Sequence, residues 1–141
     1  MRVVLDTDVV LGAMRSPTGA SAGVLRGAMA GRVTLLATTA LLLEYESVLT
    51  RSEQLAASGV SLDGARDFLD RVAALVLPVT PWFHWRPLVR DPNDELVLEA
   101  AINGAADLVV THNVRDYGLA SGRFGIGVSR PGPVLLRMRF G

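Results

Sequence analysis

Three short apolar runs, each bounded by polar residues, constrain the fold of this chain most strongly. They lie at residues 3–5, 33–37 and 108–111. None of them alternates between apolar and polar residues, so each predicts a strand that is buried on both faces. Helical patterns separate the runs. The chain is therefore predicted to form an α/β fold around a mainly parallel sheet covered on both faces.

Turn and capping residues place the helices between these strands. A loop with Pro17 and Gly19 is predicted after the first strand, followed by a helix over residues 20–30 that ends at Gly31. Thr38 or Thr39 is predicted to cap a helix that runs to about residue 51. Further predicted elements are a helix from Ser61 to about 75, a helix opened by Asp91 and Pro92 that ends near Gly104, a weaker strand at 126–129 and a short helix at 133–138.

Length and composition limit both the organisation and the chemistry. With 141 residues, the chain is predicted to form one domain over residues 1–141. It has no cysteine and no lysine, which excludes thiol catalysis, cysteine-ligated zinc and Schiff-base chemistry. Fourteen acids balance fourteen arginines, so no global positive field attracts nucleic acid. No signal peptide or membrane-spanning run is visible, and we expect a soluble, cytoplasmic protein.

Acidic and polar residues follow the predicted strands. Asp6 comes directly after the first strand and Asp8 two residues later, while Asn113 and Asp116 follow the strand at 108–111. Parallel sheets bind ligands beyond the carboxyl ends of their strands, so these side chains are candidates for a site. Each acid alone has the ordinary alternative of capping a turn. His112 is predicted to face solvent.

Helical periodicity assigns an orientation to Glu44. It is in register with Leu41 and Val48, so it is predicted to face inward, whereas Glu46 is predicted to face water. A carboxylate on an inward face must be paired, protonated or bound to a metal. An internal salt bridge is the alternative to a metal.

The same test separates the acids after Pro92. Asp94 is in register with Val97 and Leu98, so it is predicted to point toward the edge of the sheet. Glu95 and Glu99 are predicted to form a solvated face. Asp94 also lies in the first turn, where the helix dipole favours an anion, and this offers a purely structural reason for its presence.

Four acids thus lie inward or at the edge of the predicted sheet: Asp6, Glu44, Asp94 and Asp116. Carboxylates that converge repel one another, and a divalent cation removes that penalty. Oxygen ligands without cysteine or a histidine pair favour Mg²⁺ or Mn²⁺ over zinc.

Four motifs in order give the chain a resemblance to a known family. The successive acidic motifs of the PIN domain are resembled by residues 5–9, by 41–49, by 90–94 with 98–101 and 106–111, and by 111–117. Residues 127–131 resemble its closing strand and proline. The resemblance is to the subgroup of VapC-type toxins of toxin–antitoxin systems. It implies a three-layer α/β/α sandwich and Mg²⁺- or Mn²⁺-dependent endonucleolytic cleavage of RNA.

The resemblance also implies roles for particular residues. The catalytic, metal-binding positions fall on Asp6, Glu44, Asp94 and Asp116, and the supporting positions on Thr7, Asp8, Thr111 and Asn113. Asp8 stands where the family usually has Asn. Asn113 stands where an acid is common, so either Asn113 or Asp116 fills the fourth position.

Partners follow from the same resemblance. RNA is the implied substrate, a cognate antitoxin protein the implied partner, and a homodimer the usual assembly. Phosphate contacts are predicted for Arg15, Arg90 and Arg115, because the guanidinium fork suits phosphate. The aromatic segment at residues 82–85 either closes the core or stacks bases.

Two other functions remain open at this point. The Asp6-Thr7-Asp8 sequence resembles the nucleophile motif of haloacid-dehalogenase-type phosphatases, in which Asp6 would attack phosphorus and Asp8 would act as acid and base. That family normally uses a lysine, which this chain lacks. A non-catalytic module on the same fold is the second alternative. A Rossmann cofactor domain is disfavoured because no glycine-rich fingerprint follows the first strand.

Overall fold

The computed structural model describes residues 1–82 and 92–140. In chain order its elements are β1 (Arg2–Leu5), α1 (Thr7–Arg15), α2 (Ala20–Met29), β2 (Thr34–Ala37), α3 (Thr39–Leu49), α4 (Ser52–Ser58), α5 (Leu62–Leu75), β3 (Val76–Pro78), α6 (Pro92–Asn103), β4 (Leu108–Val110), a 3-10 helix (Val114–Tyr117), α7 (Gly118–Phe124), β5 (Gly127–Ser129) and α8 (Pro131–Phe140).

The strands form one five-stranded sheet in the order β3-β2-β1-β4-β5, and every neighbouring pair is parallel. In the central pairing, Val3 lies beside Leu108 and Leu5 beside Val110. The crossovers are helices that flank the sheet, and α6 packs on β1, β2 and β4. The predicted α/β architecture with a parallel sheet is confirmed. The carboxyl ends of β1 and β4 consequently meet at one edge, which is where the candidate site forms.

Burial explains why the strand sequences are continuously apolar. Val3 and Val4 are adjacent in sequence and point to opposite faces of β1, yet both are fully buried. Val109 and Val110 on β4 are also fully buried. Each such side chain contributes about 1.5–3 kcal/mol when removed from water, so the two central strands anchor the edge that carries the acids.

The predicted caps form where the sequence places them. The Thr38 hydroxyl accepts a hydrogen bond from the Leu41 amide at 3.1 Å, and the Ser61 hydroxyl accepts one from the Gly64 amide at 3.0 Å. These side chains satisfy amides that have no partner within the helix. Gly31 has a φ of 76°, which suits the position that ends α2. The predicted cap residue Asp91 lies outside the described residues.

The structure adds elements that the sequence reading missed. A nine-residue helix, α1, precedes the predicted loop with Pro17 and Gly19. Its buried residues Val9, Val10 and Ala13 follow helical spacing, but the short interval after β1 favoured a loop. The helix α4, the short strand β3, the 3-10 helix and α7 were not predicted either.

The predicted solvated face of α6 is wrong. Glu95 is 7% exposed and Glu99 is 9% exposed, so both are buried. At the end of this helix, the backbone amide of Trp82 donates to the Asn103 side chain at 2.8 Å. The Asn103 amide in turn donates to the Glu99 carbonyl. Periodicity within one helix does not reveal which of its residues are buried by contacts with other parts of the chain.

Among the described residues, no helix has both the length and the apolar character needed to span a membrane.

Candidate metal site at the carboxyl edge of the sheet

Asp6 lies at the point where β1 ends. Its amide donates to the Val110 carbonyl at 2.8 Å, so the pairing with β4 extends one residue beyond the strand and fixes its backbone. The side chain is 6% exposed. Its Oδ2 atom accepts hydrogen bonds from the Thr111 hydroxyl at 2.7 Å and from the Tyr117 hydroxyl at 3.0 Å. The protein therefore holds this buried carboxylate with two donors from the loop after β4.

Asp94 meets Asp6 through the same tyrosine. It lies buried in the first turn of α6, and its Oδ1 atom is 3.0 Å from the Tyr117 hydroxyl. The two carboxylate oxygens can be no further apart than twice 3.0 Å, because both contact one oxygen atom. Residues 88 positions apart in sequence thus share one site. Burial, together with the charges of Asp6 and Asp94, raises the pKa of Tyr117, so its hydroxyl keeps its hydrogen.

Asp8 joins the loop after β4 to the first turn of α1. Its Oδ2 atom accepts hydrogen bonds from the His112 amide and from the Asn113 side-chain amide, each at 3.1 Å. The Asn113 backbone amide donates to the Thr111 hydroxyl at 3.0 Å. Burial, followed by the charge of Asp6, raises the pKa of Asp8 to about 6. A negative charge at this position is therefore destabilised by its surroundings.

Three buried oxygens of the site find no hydrogen-bond partner among the described residues: Thr7 Oγ1, Asp8 Oδ1 and Glu44 Oε1. Glu44 is partly buried and Glu46 is exposed, as the helical register predicted. Burying an oxygen without a partner costs about 1–3 kcal/mol, so three such atoms near one edge of the sheet need an explanation.

The structure does not gather all four predicted acids. Within residues 1–82 and 92–140, no group of three or more Asp, Glu and His side chains is close enough to hold a metal ion. Asp6 and Asp94 share Tyr117, whereas Glu44 reaches from α3, which packs against α1 and α6. Asp116 is exposed, and Asn113 contacts Asp8.

The chemistry of these residues suits a hard cation although no three acids are gathered within the described residues. Mg²⁺ is usually held by one or two carboxylates and keeps several waters, so a cage of three acids is not required. The donors here are carboxylate and hydroxyl oxygens. Two of the carboxylates, Asp8 and Glu44, each have a buried oxygen that finds no partner within residues 1–82 and 92–140. Such a donor set suits Mg²⁺ or Mn²⁺ rather than a softer metal.

Tyr117 contacts both central acids of the candidate site, and the sequence analysis did not single it out. It lies next to the predicted acid Asp116, but the turn of the 3-10 helix directs Tyr117 inward and leaves Asp116 exposed. Its ring is fully buried, as expected for an aromatic residue of the core. The one available signal was its hydroxyl, because buried tyrosine hydroxyls usually find a hydrogen-bond partner.

The three arginines predicted to contact phosphate have different settings. Arg115 is exposed in the 3-10 helix. Arg15 is exposed at the end of α1 and donates to the Gln54 side chain. Arg90 lies outside the described residues. Trp82 is 77% exposed, so it does not close the core, and residues 83–85 lie outside the described part of the chain.

His112 is exposed as predicted, and its Nε2 atom lies 3.4 Å from the Ser21 hydroxyl.

Comparison with known proteins agrees with this fold. The chain is similar in fold to a chain in the crystal structure of VapBC2 from Rickettsia felis bound to a DNA fragment from their promoter. The TM-score is 0.64 and the identity is 16%, and the match covers 92% of this chain and 98% of that chain. No protein among the curated sequences matches. A family model described as PIN domain matches residues 2–115. The chain therefore belongs to the PIN domain family.

Proposed function

We propose that this protein is a metal-dependent endoribonuclease and the toxin of a toxin–antitoxin pair. One observation carries the proposal: the buried carboxylates of Asp6 and Asp94 meet at the carboxyl edge of the sheet. The adjacent residues Thr7 and Asp8 each have a buried oxygen without a partner in the described part of the chain. In a PIN domain chain, this arrangement supports a site that binds a cation and, through it, a phosphodiester. Membership of this family leaves the phosphatase alternative without support.

Asp6 and Asp94 are the proposed direct metal ligands. Among the described residues, the structure does not gather Glu44 and Asp116 with them, and these two acids are proposed as candidates for further positions. Mg²⁺ or Mn²⁺ bound there would lower the pKa of a water molecule and neutralise charge on the phosphodiester. The chain's own contribution is to fix the carboxylates before the metal binds. Thr111 restrains Asp6, and its hydroxyl is itself oriented by the Asn113 amide.

The remaining polar groups of the site are proposed to hold the substrate. Thr7 and Thr111 are proposed to hold the attacking water or a phosphate oxygen through their hydroxyls, and the Thr7 hydroxyl has no partner among the described residues. Asn113 lies exposed on the loop after β4 and is proposed to do the same. Arg115 follows two residues later and is exposed, so its guanidinium is free to reach a phosphate at the same edge. Because the net charge of the chain is zero, RNA binding depends on such local contacts.

The partners are proposed on the same grounds. The structural relative from Rickettsia felis is a chain of VapBC2, and we propose that this protein likewise pairs with an antitoxin. A homodimer and a cytoplasmic location stay predictions from the sequence.

Cleavage of end-labelled RNA tests the proposed function. Structured and unstructured RNAs are incubated with the wild type, Asp94→Ala or Asp67→Ala, in Mg²⁺, Mn²⁺ or EDTA. Asp67 is an exposed acid on α5, so its variant controls for the loss of one negative charge. We expect internal cleavage by the wild type and Asp67→Ala with metal only, and none by Asp94→Ala. Metal-independent cleavage, or cleavage by Asp94→Ala at the wild-type rate, would contradict the proposal. No cleavage by any protein would favour a non-catalytic module.

A further inference from the structure

The Tyr117 hydroxyl occupies the position between the two central acids. It lies 3.0 Å from Asp6 Oδ2 and 3.0 Å from Asp94 Oδ1. The family match ends at residue 115, so Tyr117 lies just beyond the matched segment.

A single hydroxyl hydrogen is shared by two carboxyl groups in this arrangement. Two carboxylates at this separation repel each other, and without a common donor they would turn apart. The hydroxyl draws one oxygen of each toward the same point. This shared hydrogen bond therefore restricts how the Asp6 and Asp94 carboxylates can rotate relative to each other.

The bridge is held rigidly from behind. The Tyr117 ring is fully buried, and the 3-10 helix that carries it packs against α6 and β5. Asp94 is itself on α6, so the ring and one of its two acids belong to neighbouring, packed elements. The hydroxyl is therefore a fixed point rather than a mobile side chain.

We infer that Tyr117 is a positioning residue that sets the relative orientation of Asp6 and Asp94 for one shared divalent cation. It acts through the two carboxylates and does not itself bind the cation. This inference rests on the proposed function, because it assumes that these acids are metal ligands. Hydrogen-bonding partners of metal ligands commonly govern metal affinity in this way.

Calorimetric titration with Mn²⁺ tests the inference with a matched pair of variants. Tyr117→Phe removes the bridging hydroxyl and keeps the ring. Tyr45→Phe removes a buried hydroxyl that donates to the Leu5 carbonyl instead of a carboxylate. We expect Tyr117→Phe to weaken Mn²⁺ binding by about 10-fold and Tyr45→Phe to change it by less than about 2-fold. In RNA cleavage, Tyr117→Phe should need more Mn²⁺ for half-maximal rate but approach the wild-type rate at saturation.

The outcomes separate this inference from the proposed function. If the wild type binds no Mn²⁺, the proposed function fails and takes the inference with it. If the wild type binds Mn²⁺ and Tyr117→Phe binds it equally well or more tightly, only the inference is overturned.

A second measurement needs no variant and stays informative if Tyr117→Phe does not fold. The chain has two tyrosines, so ζ-carbon labelling of tyrosine gives one NMR signal from Tyr45 and one from Tyr117. We expect Mg²⁺ to shift the Tyr117 signal and leave that of Tyr45 in place. A Tyr117 signal that stays fixed while Mg²⁺ binds would overturn the inference.

Discussion

The two halves of the candidate site differ in how the protein treats its oxygens. In one half, Thr111 and Tyr117 donate to Asp6, and Tyr117 also reaches Asp94. In the other half, the buried oxygens of Thr7, Asp8 and Glu44 have no partner among the described residues. The first half is complete without a ligand and supplies rigidity. The second half lowers the free energy of unfolding of the metal-free protein, and a bound cation or substrate would offset that loss.

The largest expected effect lies in the completed half. Asp6→Asn removes one charge from the pair that shares Tyr117 while keeping its size. We expect RNA cleavage to fall by about 10³-fold, because stabilisation of the phosphodiester charge by metal is worth several kcal/mol. Single-turnover cleavage at saturating Mn²⁺ measures this. RNA binding should be retained, because the substitution removes a charge that repels phosphate.

A pair of identical substitutions compares the halves directly. Thr111→Val removes a donor to the Asp6 carboxylate, and we expect it to lower the free energy of unfolding by about 2 kcal/mol without metal. Thr7→Val removes a buried hydroxyl that has no partner, so it should cost nothing or raise stability slightly. Urea unfolding in EDTA measures both. Equal losses in the two variants would contradict the distinction between the halves.

Asp8 gives the second half a pH signature. Its pKa in the folded protein is about 6, above the ordinary value of 3.8, so the folded state favours the protonated form. Its contribution to stability is therefore present below pH 3.8 and lost as the pH rises through about 6. We expect Asp8→Asn to be more stable than the wild type by about 1–2 kcal/mol at neutral pH.

That advantage should shrink toward acid pH, where Asp8 is protonated in both the folded and the unfolded wild type. Unfolding at a series of pH values in EDTA measures the difference. An advantage that stays constant with pH would show that the charge of Asp8 is not its cause.

Glu44 gives the smallest expected effect on stability. Glu44→Gln removes the charge from a partly buried carboxylate with a partnerless oxygen, and we expect a gain of up to about 1 kcal/mol in the free energy of unfolding without metal. Glu46→Gln is the matched control, because Glu46 lies two residues away and is exposed. If Glu44 is a metal ligand, the same variant loses Mn²⁺ affinity while the control does not. An equal gain in the free energy of unfolding in both variants would show that the burial of Glu44 is not its cause.

The sequence predicted those features that depend on local pattern. Continuous apolar runs identified β1, β2 and β4 because a strand buried on both faces needs apolar residues at every position. The helical register placed Glu44 inward and Glu46 outward, and the structure confirms both. Asp6 was recognised as a site candidate because it follows a strand, and Asp94 because it is in helical register with Val97 and Leu98.

The features that failed depend on contacts between distant segments. Glu95 and Glu99 were predicted to be solvated, but both are buried in the folded chain. Tyr117 carries the contact that joins Asp6 to Asp94. It closes the motif at residues 111–117, but the acids of that motif drew the attention, and its ring is that of a core residue. Periodicity describes one element at a time, so a side chain whose role is to connect three elements is invisible to it.

Anomalous diffraction from crystals soaked in Mn²⁺ tests the central claim most directly. We predict one strong anomalous peak at coordination distance from the carboxylates of Asp6 and Asp94, on the side of the partnerless Asp8 and Glu44 oxygens. Crystals of Asp6→Asn should lack it. A peak bound elsewhere, or no peak at a Mn²⁺ concentration that supports cleavage, would contradict the account.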